Sequence, residues 1–356
     1  MKQTIKNILS LFLISAAVFF CLKYPYDIST AVSNGLDRCI DVMIPSMFIF
    51  MCITSFTVSC GLHRILSVPF TPFARYVLRL TPEQFGIFLL SIFSGYPTGI
   101  KLLKDSLSEN EISKKDFDRL SCFCFAGGPA FISGTVSGVL FPGTSAGMLC
   151  FLSITTGNLI CAFITGLFSP VPQKSSCRIR TRITSGIFTQ SVLSSGRAMF
   201  SMCVMIVLFS GLLKAMQLSG ILDIISAENG TSGLIYSLLE ISNIAELRNP
   251  KIQLLPIITF LLSFGGICVL IQIIAVSDGL LNIRRFLFFR LVSAGFSAVV
   301  CRLISRFFYL GTTDAAVYGT VKVSRRPLCA VMIFAMTIML LSSAEIHLRQ
   351  HRTNHD

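Results

Sequence analysis

Charged residues are scarce in this chain. They make up 13% of its 356 residues, whereas hydrophobic residues make up 53%, and the mean hydropathy is +0.75. A soluble domain of this size carries about twice that charged fraction. A water-soluble globular fold is therefore excluded, and lipid is the expected solvent for most of the chain.

Signatures of metalloenzymes and zinc sites are also missing. The sequence has no HExxH motif and no pair of aspartates within an apolar segment, so we assign no catalytic residue, no metal site and no cofactor. The 13 cysteines include no CxxC pair, and most fall within apolar segments. They are predicted to be small apolar filling residues rather than disulfide or zinc partners. We expect a protein that is not an enzyme.

The positive charge that is present lies in short loops. Lys and Arg total 30 against 17 Asp and Glu, a net charge of +13. Basic loops between apolar runs follow the positive-inside rule and argue against nucleic-acid binding. The basic stretches at 64–79, 114–119 and 174–182 are predicted to face the cytoplasm. The connection that holds Asp223 and Glu228 is predicted to face the opposite side.

Nine apolar segments predict an all-α polytopic membrane protein with about seven to nine membrane segments, because about 20 apolar residues cross a bilayer. The first has the basic start and apolar run of a signal peptide without its cleavage site, so we interpret it as a membrane helix. The segments are residues 5–22, 39–62, 85–103, 120–141, 146–169, 198–218, 252–276, 286–310 and 328–344.

Helix-breaking residues interrupt two of these segments, SIFSGYPTGIKLLK at 91–104 and CFAGGPAFISGTVSG at 124–138. Glycine tolerates non-helical backbone, and proline lacks the N–H that an interior helical turn needs but suits the first helical position. Each motif therefore predicts a loop followed by a half-helix, with free N–H groups that point into the protein. Re-entry of residues 85–103 keeps the basic loops on one side, so we prefer it to a full crossing.

The chain also matches itself without gaps at an offset of 171 residues, 91–126 against 262–297. Gly95 falls on Gly266, and Arg119 falls on Arg290. In the predicted topology the copies are inverted, and inverted repeats with broken helices are typical of secondary transporters. Chance similarity between apolar helices is the alternative.

This repeat sets the predicted domain organisation. The predicted units are an N-terminal membrane anchor helix (1–33), a first repeat (34–169), a basic cytoplasmic linker (170–192), a second repeat (193–310) and a C-terminal helix with tail (311–356).

Three motifs carry a family resemblance: SGYPTGIKLLKDSL (94–107), AGGPAFISGTV (126–136) and FLLSFGGICVLIQ (260–272). With these the chain resembles the YlbJ family of sporulation integral membrane proteins, grouped with Gate or nucleoside-recognition domains and related to concentrative nucleoside transporters. The resemblance implies export of dipicolinic acid from the mother cell through the outer forespore membrane of a spore-forming bacterium. The second copy departs from the pattern because no proline follows Gly265 and Gly266.

Dipicolinate is a flat aromatic dianion, so its site needs positive potential, hydrogen-bond donors and an apolar or aromatic face. The interrupted motifs and the matching segment of the second repeat offer these groups. The predicted substrate-binding residues are Ser94, Gly95, Tyr96, Pro97, Thr98, Gly99, Lys101, Gly127, Gly128, Pro129, Phe131, Ser133, Gly265, Gly266 and Gln272.

Glu240 and Asn243 are predicted as possible coupling residues, because an acidic residue in a membrane segment is a candidate proton carrier. Several residues have simpler interpretations. Lys101 is as well explained by snorkelling beside Lys104, and the glycines by close helix packing. Headgroup anchoring is preferred for Arg119, Arg290 and Arg302, and a frayed tail for His347, His351 and His355.

The predicted partners are the lipid bilayer and a small-molecule anion, without nucleic acid, and the oligomeric state is left open. Two alternative functions remain: a nucleoside-type solute carrier, and a membrane scaffold for spore assembly that does not transport.

Overall fold

A computed structural model describes residues 2–172, 183–220, 232–247 and 250–307. Within these ranges all regular structure is helical, which confirms the predicted all-α fold of a multi-pass membrane protein. The helices long and apolar enough to cross a membrane are Pro25–Ser59, Ala146–Leu167, Ser185–Leu218, Ile252–Val276 and Ile283–Arg306. The predicted span at 328–344, the tail histidines, the stretch at 174–182, and Asp223 and Glu228 lie outside the described residues.

Fifteen α-helices are described and are numbered here in chain order. The first ten are α1 (Lys2–Lys23), α2 (Pro25–Arg38), α3 (Ile44–Ser59), α4 (His63–Ser67), α5 (Thr71–Tyr76), α6 (Pro82–Ser94), α7 (Thr98–Ser108), α8 (Lys114–Leu120), α9 (Pro129–Thr135) and α10 (Ala146–Leu167). The others are α11 (Ser185–Leu218), α12 (Ser232–Leu239), α13 (Leu255–Phe264), α14 (Gly266–Val276) and α15 (Ile283–Phe307).

Short π-helical or 3₁₀ turns extend or join some of these helices. They are Cys39–Met43, Val68–Phe70, Val136–Leu140, Ile241–Glu246 and Ile252–Leu254. The π turn at Cys39–Met43 joins α2 to α3 without a break, so the two form one span of 35 residues.

The first predicted interruption is confirmed and reverses the chain. Helix α6 starts with a capping box between Thr81 and Gln84 and ends at Gly95, and α7 starts at Thr98. With 13 and 11 residues, the two helices are about 20 and 16 Å long, too short to cross a hydrocarbon core of about 30 Å. They pack against each other, so the pair is a hairpin, as the predicted re-entry requires.

The second predicted interruption is confirmed as well. Helix α8 ends at Leu120, residues 121–128 are not helical, and α9 begins at Pro129. Pro129 occupies the first helical position, as predicted. Pro97 does not, because it precedes the first helical residue of α7.

The matching segment of the second half is a bent helix rather than a hairpin. Gly265 separates α13 from α14 in the left-handed conformation, with a φ of +89°. Both helices lie within one apolar stretch of 25 residues, Ile252–Val276, which is long enough to cross. This segment is therefore long enough to cross the membrane, and it bends at Gly265.

The turn after α14 lies beside the open end of the α6–α7 hairpin. Lys104 forms an ion pair with Asp278, and Lys114 donates a hydrogen bond to the carbonyl of Leu280. In the match of the chain with itself, the turn after α7 corresponds to the turn after α14. Inverted copies would place these two turns on opposite membrane faces. This contact does not support an inverted orientation of the two segments; the inverted repeat, the sequence match and the domain boundaries stay predictions.

A fully buried arginine supports the non-helical segment 121–128. Arg290 of α15 donates to the carbonyls of Phe125 (3.0 Å) and Cys122 (2.9 Å) and to Oδ1 of Asn158 (3.1 Å). Nδ2 of Asn158 donates to the same Phe125 carbonyl at 2.8 Å. Because unpaired backbone groups are costly inside a bilayer, α10 and α15 stabilise this interruption.

The predicted headgroup role is therefore wrong for Arg290, and it is wrong for Arg119 too. Arg119 is buried and donates to the carbonyls of Leu78 and Arg79, in the connection that precedes α6. Both arginines bind irregular backbone rather than lipid. Arg302 is exposed on α15, so its headgroup role stays a prediction.

We expect Arg290→Met to destabilise the fold, because the carbonyl of Cys122 loses its donor inside the protein. An unpaired buried acceptor costs about 1–3 kcal/mol, so the thermal unfolding midpoint of the purified protein should fall. Arg302→Met is the matched control on the exposed side of the same helix. Equal midpoints for the two variants would contradict this role.

A buried histidine lies near the base of the hairpin. His63 is fully buried, and its Nε2 is 3.9 Å from Oε2 of Glu111. The other carboxylate oxygen, Oε1, accepts a hydrogen bond from Arg64 at 2.7 Å. The pKa of His63 is lowered to about 4 because burial and the charge of Arg64, in that order, outweigh Glu83 and the carbonyls of Thr57 and Val58, which raise it. His63 is therefore neutral at physiological pH.

The lowered pKa of His63 predicts a loss of stability in acid. Between pH 6.5 and about 4 the unfolded chain binds a proton at His63 that the folded chain does not, so stability falls as the pH falls through this window. The contribution from pH 7 to pH 5 is about 2 kcal/mol.

The measurement is the unfolding midpoint against pH for the wild type and for His63→Gln, which has no ionisable side chain here. Burial raises the pKa of Glu111, which acts in the opposite direction, so the difference between the two curves is the relevant quantity. That difference should change between pH 7 and 5. Parallel curves would show that the loss of stability in acid does not come from His63.

Candidate functional site

The tip of the α6–α7 hairpin packs directly against the second interruption. A Cβ atom on Gly95 would lie 3.0 Å from the backbone nitrogen of Gly128 and would overlap Cε of Met47. Gly95 also has a φ of +77°, which favours glycine. The structure thus brings together Gly95 and Gly128, which the sequence placed in two separate motifs.

Aromatic rings fill the junction. Tyr96 stacks on Phe125 with ring centroids 5.0 Å apart, and Phe131 lies edge-on to Tyr96 at 6.4 Å. The guanidinium carbon of Arg290 is 4.4 Å from the Phe125 ring centroid. A Cβ on Gly265 would lie 2.8 Å from Cζ of Phe125. We call Tyr96, Phe125, Phe131 and Arg290 the central cluster, and the three interruptions meet around it.

Three hydroxyl groups at the hairpin tip are buried without a hydrogen-bond partner in the described part of the chain. They are Oγ of Ser94, the phenol of Tyr96 and Oγ1 of Thr98, and each residue is 1% exposed. A buried hydroxyl normally finds a partner, and leaving it unpaired costs free energy. These groups are thus available to a polar ligand.

The remaining predicted residues of the hairpin serve packing and anchoring. A Cβ on Gly99 would overlap the carbonyl oxygen of Cys124, so Gly99 permits close contact with the second interruption. Lys101 forms an ion pair with Asp105 at 3.0 Å and a hydrogen bond to Ser194 at 3.1 Å. Its charge is thus bound to a carboxylate, and its predicted substrate role stays a prediction.

Glu240 and Asn243 lie in a buried polar segment at the edge of the central cluster. The carboxylate of Glu240 accepts hydrogen bonds from the backbone and hydroxyl of Ser242, and Asn243 accepts a hydrogen bond from Arg38. A Cβ on Gly266 would lie 3.3 Å from the nitrogen of Ile241. The segment that holds the predicted coupling pair therefore touches the third interruption through Ile241.

Three of the other predicted residues have different surroundings. Gly127 packs against the ring of Tyr96, because a Cβ on Gly127 would lie 3.3 Å from Cε1 of that ring, and so it belongs to the junction. Ser133 is half-buried beside Gly147 of α10. Gln272 is buried and donates to Sγ of Cys268 at 3.4 Å, while its Oε1 has no partner among the described residues.

Sequence reasoning did not assign Phe125 or Arg290 to the site. A signal was present, because Arg290 stands inside the apolar run FLFFRLVSAGF and an ionisable residue in a membrane segment usually has an interior role. Phe125 carried no such signal, since Phe is common throughout this chain, with 31 copies.

One stretch matches an enzyme motif by its letters alone. Residues 143–147 are GTSAG, which fits the GxSxG pattern of serine hydrolases. A nucleophile elbow connects a strand to a helix, whereas this stretch connects the π turn Val136–Leu140 to α10, and the described residues contain no strand. The described part of the chain also contains no group of acidic, histidine and cysteine side chains that could hold a metal ion.

Comparison with known proteins identifies one relative by sequence. The sporulation integral membrane protein YlbJ of Bacillus subtilis (strain 168) is 24% identical over 335 residues, covering 83% of this chain and 82% of that protein. No protein-family model and no solved structure matches the chain. This similarity confirms the resemblance to YlbJ, while the relation to Gate domains stays a prediction.

We expect Gly95→Ala to impair folding, because the added Cβ meets the backbone of Gly128 and the φ of +77° strains an alanine. The strain alone is about 1–3 kcal/mol. Gly134→Ala in α9 is the control, since nothing lies within 4 Å of its Cβ. The yield of detergent-extracted, monodisperse protein should fall for Gly95→Ala and not for Gly134→Ala. Equal yields and equal unfolding midpoints would argue against the close junction.

Proposed function

We propose that this YlbJ-like membrane protein carries a small organic anion, dipicolinate, out of the mother cell across the outer forespore membrane during sporulation. The chain is multi-pass, and its relative is a sporulation integral membrane protein by name. The observation that carries the proposal is the meeting of three helix interruptions around buried aromatic rings and unpartnered hydroxyls.

Interrupted helices inside a bilayer support a transport role for a physical reason. Non-helical backbone in a membrane is tolerated where protein or a water-filled cavity covers it, and transporters place substrate sites at such breaks. Here the non-helical segments 95–97 and 121–128 contact each other, and the bend at Gly265 contacts Phe125. A protein that only needed to span the membrane would gain nothing from three breaks in one place.

The chemistry of the junction suits a flat aromatic anion. Tyr96 and Phe125 provide ring surfaces, Ser94 and Thr98 provide hydroxyl donors, and the Arg290 guanidinium supplies positive potential. Nε of Arg290 is buried without a hydrogen-bond partner in the described chain. Cations, donors and aromatic surfaces together are what a ring with two carboxylates requires.

Glu240 supports a proton-coupled form of this carrier. Its carboxylate is fully buried beside the third interruption, and both of its oxygens accept hydrogen bonds from Ser242. A buried carboxylate that gains or loses a proton changes the charge of the interior by one unit, which favours or disfavours an anion nearby. The coupling ion in this proposal is therefore H⁺.

A nucleoside carrier is the second substrate class, and Arg290 argues against it. A buried guanidinium near the rings attracts a dianion but offers an uncharged nucleoside no comparable gain. A scaffold without transport is the remaining alternative, and it assigns no role to the three unpartnered hydroxyls at the hairpin tip.

We predict that Tyr96→Phe lowers dipicolinate uptake into proteoliposomes about tenfold or more while leaving the unfolding midpoint unchanged. The substitution removes one hydroxyl that has no partner in the described fold, so the fold loses little and a bound ligand loses a hydrogen bond. Uptake is measured with labelled dipicolinate, with and without a pH gradient that is acidic on one side.

Tyr76→Phe is the matched control, because it removes an identical hydroxyl from an exposed residue of α5. Its uptake should equal the wild-type rate. Absence of uptake by the wild type in either gradient direction would refute a dipicolinate carrier. Uptake of labelled nucleoside instead would select the second substrate class.

A further inference from the structure

A polar cavity lies away from the hairpin, where α2 runs alongside the last turns of α11. Its volume is about 230 Å³, and Tyr236 of α12 and Asn243 help to line it. The two long helices pack closely beside it, since a Cβ on Gly35 would lie 2.5 Å from Oγ of Ser210. Sites for drug-sized ligands are about 300–1,000 Å³, so this cavity suits a smaller molecule.

The cavity carries an excess of positive charge. Its charged lining residues are Arg38 and Lys214 against one carboxylate, Asp27. Lys214 forms no ion pair with any residue of the described chain. Arg38 is held in place, because its Nε donates to the carbonyl of Asn34 at 3.2 Å and its Nη1 donates to Asn243. One cation is thus oriented by the fold, and the other is a lysine on the facing helix.

The uncharged lining completes the requirements of an aromatic dicarboxylate. Tyr26 and Tyr236 offer rings and hydroxyls, and Thr30 and Gln217 offer further donors. Carboxylates favour cations with additional N–H or O–H donors, and a flat ring favours aromatic neighbours. These groups come from α2, α11 and α12, so the cavity is built from three elements.

The position of the cavity connects it with the central cluster. Asn243 lies in the turn Ile241–Glu246, whose first residue touches Gly266 at the third interruption. Lys214 is twenty residues from Ser194, the partner of Lys101, along α11, which is about 30 Å. The cavity therefore lies far along α11 from the level of Lys101, and the predicted orientation puts the cavity on the non-cytoplasmic side.

We infer that this cavity is a second binding site for a small aromatic dicarboxylate, at the mouth through which the carried anion leaves. The identity of the ligand as dipicolinate rests on the proposed function, whereas the site itself rests on the charge, size and lining of the cavity. Arg38 and Lys214 each attract one carboxylate, and the tyrosines contact the ring.

The test is equilibrium binding of labelled dipicolinate to the purified full-length protein in detergent. Lys214→Gln should weaken binding about tenfold, because it removes one of two cations, and Lys214→Arg should restore most of it. Lys23→Gln is the matched control: it removes the same charge from α1, on the same predicted side, outside the cavity lining. Its binding should equal that of the wild type, with equal unfolding midpoints for all four proteins.

Two results would overturn the inference: no binding by the wild type, or equal affinity in the wild type, Lys214→Gln and Lys23→Gln. Uptake into proteoliposomes is measured on the same proteins and tests whether the protein carries the anion. Binding that depends on Lys214, without uptake by the wild type, keeps the site and refutes the carrier. Uptake that depends on Tyr96 but not on Lys214, with equal affinities, keeps the carrier and refutes the site.

Discussion

Backbone that leaves the helical conformation inside a bilayer has to find its hydrogen-bond partners within the protein. In this chain the partners of the segment 121–128 are Arg290 and Asn158, which come from the two helices that pack behind it. Their hydrogen bonds fix the carbonyls of Cys122 and Phe125. The arrangement of the interior follows from this, because Phe125 then presents its ring to the hairpin tip and to the bend at Gly265.

The three interruptions are different structures with one meeting point. The first reverses the chain, the second separates a short helix from a half-helix, and the third only bends a span. Close approach is possible because Gly95, Gly99 and Gly265 leave no Cβ at the contacts. Glycine here serves close packing, and the junction it permits leaves polar hydroxyls without a hydrogen-bond partner among the described residues. Packing and ligand binding are thus two consequences of the same residues.

The charged residues near the two candidate sites have different surroundings. Arg119 and Arg290 bind backbone carbonyls, and Lys101 is neutralised by Asp105. A buried guanidinium with carbonyl partners costs less than an isolated charge, yet it keeps its positive potential near the aromatic rings. The excess charge of the polar cavity lies farther out, at Arg38 and Lys214. An anion would meet positive potential at both positions.

Composition and local pattern alone determined the solvent, the helical class and the places where helices break. Gly95–Pro97 and Gly127–Pro129 favour breaks, because glycine tolerates non-helical backbone and proline lacks the N–H that an interior helical turn needs. Contacts between distant segments were decided only by the tertiary structure. No local pattern reveals that Arg290 reaches the carbonyl of Cys122, 168 positions earlier, or that Lys104 meets Asp278. Such partners are selected by three-dimensional packing, which a self-match in a sequence rich in Leu, Phe and Gly does not encode.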